Sequence, residues 1–236
     1  MRDVDPFLIH GVLMLLAWIG LLPTGVLVAR YLKVRRGQDF PRELDNPLWF
    51  YFHVASQYAG MAIACLGVVI VWNALGSFDV ADRHAQLGAI VMSLGILQIV
   101  ASWLRGTKGG PTDKGADPAR PETWRGDHYD MTLRRRLFEV WHKTAGYVAL
   151  ALAVPTAMMG LDRLGVPNSV QLLPAALAVA FVVAMVLFER AGRRVPTYWA
   201  IWGPDPTHPG NRPRSAHMTA TSGEAPVERR RGRDSS

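Results

Sequence analysis

The sequence predicts an all-α membrane protein of five transmembrane helices, the first four forming an antiparallel four-helix bundle. Three observations lead there. Half of the 236 residues are hydrophobic and only 19% are charged, a balance unlike that of a water-soluble domain of this length. Five stretches contain no Asp, Glu, Lys or Arg: residues 7–29, 48–78, 84–104, 144–161 and 166–188. The basic residues, finally, crowd into alternate connections between those stretches.

A hydrocarbon core of roughly 30 Å is crossed by about 20 apolar residues in helical form, and four of the five stretches reach that length. The first, from Phe7 to Ala29, is too long for a signal peptide, has no basic leader and lacks a small-residue cleavage site. The second and third run from Leu48 to Phe78 and from His84 to Leu104. The fourth, Thr144 to Leu161, is short by about a turn. It gains that turn from Phe138 to Lys143, whose charges lie at the interface with their stems along apolar surface. The fifth runs from Val166 to Phe188. Helices are expected because a chain in lipid must satisfy its N–H and C=O groups within the segment. Five such runs leave almost no polar helix face for water, which excludes a soluble helical protein.

The net charge of +7 is a matter of topology rather than of nucleic-acid binding. Of the 26 Lys and Arg, 23 fall after the first, third and fifth helices, while Arg2, Arg83 and Arg163 stand alone on the other side. By the positive-inside rule the crowded side is cytoplasmic. The N-terminus is then outside, the C-terminus inside, and a plasma membrane of bacterial type is expected. Residues 1–190 form the membrane unit. Residues 191–236 are read as a basic, largely disordered cytoplasmic tail, opening with an aromatic belt of Tyr198, Trp199 and Trp202. The Gly- and Pro-rich connection 105–136 is read as a mobile cytoplasmic loop. Cys65, the single cysteine, is read as a small packing residue, with neither a disulfide nor a CxxCH motif open to it.

Four of the seven histidines, His10, His53, His84 and His142, stand at the N-terminal ends of the first four helices. Because successive helices run in opposite directions, His10 and His84 share the outer half of the membrane, and His53 and His142 the inner half. An ionisable residue within a span is costly and usually functional. Neutral imidazole is a preferred ligand for iron, copper and zinc. Zinc asks for three or four protein ligands at one centre, whereas two facing histidines complete a haem iron that already has four macrocycle nitrogens. Gly88 and Gly146 stand four residues after His84 and His142, and Gly60 seven after His53, all on the helix face of their histidine. Small residues also let membrane helices pack closely; here they leave room for a flat ligand. Without CxxCH the haems are non-covalent, of b type.

The stretches HGVLMLLAWIGLLPTGVLVARY, WFYFHVASQYAG, HAQLGAIVMSLGILQIVASWLR and FEVWHKTAGY resemble the four core helices of the cytochrome b561 family, and most of all the branch joined to an outward-facing DOMON domain. The resemblance runs from about Pro6 to Phe188. It implies two haem b groups, one held by His10 and His84 and the other by His53 and His142, passing electrons between the membrane faces. Only nine residues precede His10, so the outer redox partner is expected to be a separate protein or a small molecule. Ascorbate-using members carry motifs like ALLVYR and SLHSW where this chain has VLVARY and DRHAQLG.

The expected activity is therefore transmembrane electron transfer of a ferric- or other small-molecule-reductase type. The lipid bilayer is one partner, and a small molecule, quinol or redox protein exchanges electrons at each face; a homodimer is compatible with this. Lys33, Arg105, Arg134, Arg135, Arg136 and Lys143 are candidates to offset haem propionates at the inner face, and Arg83 at the outer. A haem-bearing anchor subunit of a larger quinone-linked oxidoreductase shares the haems but not the independence. A proton or metal transporter built on a histidine relay would be expected to carry carboxylates inside the spans, and the five stretches contain none.

Overall fold

The structure is a computed structural model and describes residues 5–110, 113–117 and 119–211. Five helices are long and apolar enough to cross a membrane: α1 (Pro6–Tyr31), α2 (Leu48–Leu75), α3 (Arg83–Trp103), α4 (Leu133–Arg163) and α5 (Asn168–Arg190). Their ends follow local chemistry. The Asp5 carboxylate accepts from the Phe7 N–H at 2.8 Å ahead of Pro6, and Asp82 accepts from the His84 N–H at 3.0 Å, each satisfying a donor the first turn leaves open. Gly76, at φ 73°, closes α2 in a left-handed conformation that suits glycine. Thr132 caps α4, which begins at Leu133 and so gains more than the single turn expected from the charge pattern.

α1 is not a uniform helix. Residues Leu15–Leu21 form a π-helical stretch in which the Leu22 N–H reaches back to the Ala17 carbonyl. Pro23 follows, with no N–H to offer, and such wide turns are a known way to accommodate a break in the ladder.

α1 packs along α2, and α3 along α4, giving two antiparallel hairpins that face each other; α5 lies against α4 and touches α1. The core sits at mid-height, where Ala17, Trp18 and Leu22 of α1 meet Met61 and Ala64 of α2, Val91 of α3, and Ala149 and Ala153 of α4. At the basic end Arg30 ties α1 to α5 through Glu189 at 2.6 Å, and Tyr31 donates to the same carboxylate at 3.1 Å.

Two expectations give way at that end. Described parts of the connection 105–136 and of residues 191–211 pack on one another as a cap. Its short helix α6 (Thr197–Trp202) buries Tyr198 against His128, with ring centres 4.5 Å apart. Tyr129 meets Trp202 at 5.2 Å and His208 at 4.9 Å. The Asp45 N–H bonds to the Ala200 carbonyl at 2.8 Å, and Lys108 pairs with Asp45. Tyr198 and Trp202 are thus the apolar centre of a cap rather than a lipid-facing belt, because rings from three separate segments bury one another. The segment 212–236 lies outside the described residues.

Candidate functional site: two histidine pairs

The hairpin partners set the height of each histidine. His10 Nδ1 lies 2.9 Å from the Gly67 carbonyl, and His53 Nδ1 lies 3.0 Å from the Gly25 carbonyl; both contacts join α1 to α2. In the other hairpin His84 Nδ1 lies 3.1 Å from the Thr156 carbonyl. These contacts place His10 level with Gly67 and His53 level with Gly25. At a rise of about 1.5 Å per residue, His53 and Gly67 are separated by about 20 Å along α2. The two levels are therefore well separated along the bundle.

Across the gap between hairpins the rings face each other. His10 and His84 have ring centres 6.3 Å apart with planes at 85°, and His53 and His142 have centres 6.1 Å apart, also at 85°. A first-row metal ion stands about 2 Å from an imidazole nitrogen, so two rings on opposite sides of one ion have centres about 6 Å apart. A carbonyl at Nδ1 holds the ring as the Nδ1–H tautomer and leaves the Nε2 lone pair for a metal, the usual arrangement of a histidine ligand. Three of the four rings have such a carbonyl. Among the described residues no group of three or more His, Cys, Asp or Glu gathers as a metal site. Each pair supplies two donors, which suits an ion already held by four others.

An open cavity of about 1480 Å³ lies between the hairpins at the His10 and His84 end, above the roughly 300–1,000 Å³ of an ordinary ligand pocket. Both histidines line it, with Gly88, Trp18, Met92 and Thr156. A Cβ added at Gly88 would meet nothing within 4 Å, and the same holds at Gly146. Gly60 differs: its Cβ would stand 2.8 Å from Leu22 Cδ2, so close packing of α2 on α1 accounts for it without a ligand. Cys65 also departs from expectation, being exposed and lining the cavity rather than packed in the core.

The charges are arranged differently from the sequence reading. Arg83 is exposed and does not line the cavity; Arg163, paired with Asp82, does. Lys143 is 57% exposed and held by Glu139 at 2.8 Å. Lys33 is the buried cation, 7% exposed and 5.6 Å from the Trp49 ring centre; Arg105, whose guanidinium lies 4.8 Å over the Phe50 ring, and Arg135, 5.2 Å over Phe138, are half-buried. Phe138 in turn stacks on His142 at 5.1 Å. Burial, and then the Arg135 charge, lower the pKa of Arg105 from its ordinary value.

Several contributors escaped the sequence reading. Gly25, Gly67 and Thr156 matter through main-chain carbonyls, which carry no residue-specific mark. Gly160 lies so close to His84 that a Cβ there would stand 2.9 Å from ring Cε1. Gln98, whose side chain lies against His142, carried a signal: a polar residue inside an apolar run is usually there for a reason.

Five apolar helices and two facing histidine couples define an all-α membrane protein with a pair of imidazoles at each of two levels. The chain is related to the cytochrome b561 family. It is 31% identical over 171 residues, 72% of its length, to a cytochrome b561, DM13 and DOMON domain-containing protein of Arabidopsis thaliana. It is 28% identical over 164 residues, 68% of its length, to human ferric-chelate reductase 1. A cytochrome b561 and DOMON domain-containing protein of Arabidopsis is 29% identical over 161 residues. The matched region spans only 16%, 24% and 31% of these three relatives. No family model matches the chain, and no solved structure does. The relation implies haem b binding in a membrane protein of electron transport, and the residues fit that group: two donors per centre, Nδ1 tied back, and room beside Gly88.

Proposed function

We propose that this chain carries electrons across the membrane between two haem b groups, one held by His10 and His84 and the other by His53 and His142. The observation that supports it best is the pair of facing ring couples, 6.3 Å and 6.1 Å between centres, at opposite ends of one bundle. Each haem, when bound, takes up and returns one electron at its iron. The protein's part would be to hold the two histidines of each pair in place so that little rearranges with redox state, and to tune potential by hydrogen bonds and nearby charge. The Gly67, Gly25 and Thr156 carbonyls retain the Nδ1 protons. Arg105 and Arg135 stand where they can offset propionates at the His53 and His142 end. Trp18 and Met61 fill the bundle between the two levels and keep water out.

The basic end is cytoplasmic by the positive-inside rule, which puts the open cavity of His10 and His84 outside. That side suits electron exchange with a small molecule, in keeping with the name ferric-chelate reductase 1 of the human relative. The capped end suits a redox protein or a membrane-borne quinol.

The deciding experiment is a dithionite-reduced minus oxidised visible spectrum of the purified chain, with haem counted per polypeptide. About two b-type haems per chain are expected. Protein made with ample haem that shows no b-type signal would sink the reading.

A further inference from the structure

His142 differs from the other three histidines in what faces its Nδ1. His10, His53 and His84 each meet a main-chain carbonyl, an acceptor that no side-chain replacement removes. His142 meets the carboxamide of Gln98, carried on α3. With its nitrogen toward the ring, this group donates to His142 Nδ1 at 2.6 Å and to the His142 carbonyl at 3.1 Å, while its oxygen accepts from the Gly146 N–H at 3.2 Å. Gln98 thus straddles the turn of α4 that carries the ring and binds both its ends. We propose that Gln98 is the positioning residue of the His53 and His142 centre, setting the hydrogen bonding of His142 and through it the potential of that one haem.

The inference rests on the haem reading above. A ring that binds iron through Nε2 keeps its hydrogen on Nδ1. A half-turn of the carboxamide about its last bond brings its oxygen to Nδ1 to accept that hydrogen and gives up the bonds to the His142 carbonyl and the Gly146 N–H, so that the tautomer of the ring and the orientation of Gln98 are set together. An acceptor at Nδ1 draws the hydrogen away, makes the ring a richer electron donor, and favours the ferric state. The strength of that acceptor is set by one exchangeable side chain at this centre and by the main chain at three other rings. Both partners are half-buried, beside the Phe138 ring that stacks on His142, where a hydrogen bond is less screened than in open water.

The test uses the full chain, loaded with haem and purified in lipid nanodiscs, as wild type, Gln98→Glu and Gln98→Leu. Potentials are read by spectroelectrochemistry, and the two components are assigned by their loss in His142→Ala and His10→Ala. Gln98→Glu, a stronger acceptor, is expected to shift the His142 component downward. Gln98→Leu, with no acceptor, is expected to shift it upward or to lose that haem alone. The His10 component stays in place in both. Opposite shifts are not what a merely structural role produces, since loosened packing would move both variants the same way. Unchanged potentials, shifts in one direction, movement of the His10 component, or loss of both haems in both variants would overturn the role of Gln98. A wild-type chain that takes up no haem overturns the haem reading instead.

Discussion

Gly160 on α4 and the His84 ring on α3 approach so closely that a Cβ at residue 160 would stand 2.9 Å from ring Cε1. The ring can bond to the Thr156 carbonyl, one turn earlier on the same helix, only because residue 160 has no side chain. In Gly160→Ala the ring must swing away or the helix retreat, an overpacking that costs about 1–3 kcal/mol. The expected outcome is loss of the haem assigned to His10 and His84, read as a fall from about two haems per chain to about one. Retention of both with unchanged spectra would show that the ring position does not matter.

The glycines separate room for a ligand from room for a helix. Gly88→Leu and Gly146→Leu meet no atom near their Cβ, so the fold and thermal stability of the haem-free chain should change little while each variant binds one haem fewer. Gly60→Leu drives into Leu22 and should lower thermal stability with or without haem. A Gly88→Leu chain that holds both haems would refute the cofactor role of that space.

The pairing of ligands makes a sharper demand. His53→Ala and His142→Ala are expected to abolish the same spectral component, and His10→Ala and His84→Ala the other. If the two members of a pair removed different components, the facing rings would not share an iron.

The cap carries a pH dependence that lies away from the haem ligands. His128 is only 4% exposed, and burial, with the Arg135 and Lys108 charges nearby, pushes its pKa down to about 2. Its folded-state value is depressed, so the native cap holds a neutral ring that an opened cap would protonate near the ordinary value of about 6.5. The stabilisation is therefore full above that value and is lost as pH falls, by about 1.4 kcal/mol per unit. Between pH 7.5 and pH 5 the cap should lose about 2 kcal/mol of its opening free energy. Hydrogen exchange over residues 197–211 should accelerate accordingly in the wild type and much less in His128→Phe. Equal protection at both pH values in the wild type would contradict this.

The spans, their order and the alternation of the four histidines could be read from the chain because lipid enforces length and apolarity within each segment. The pairing by level followed from direction alone. What could not be read was every contact made by the main chain: the Gly67, Gly25 and Thr156 carbonyls look like any others in sequence. Gly60 and Gly88 share a pattern relative to their histidines, and only the neighbouring helix distinguishes them. Arg83 and Arg163 stand on the same side of the topology, yet the rotation of their helices turns Arg163 alone toward the cavity.

By itself the sequence determined a five-helix membrane protein with two histidines at each of two levels, since hydrophobic length and helix direction are properties of single segments. Only the tertiary structure decided how far apart the rings stand, which carbonyl or carboxamide holds each Nδ1, and that the basic end is covered by a packed cap. Those are relations between helices and between distant loops, and no local pattern encodes a distance between segments.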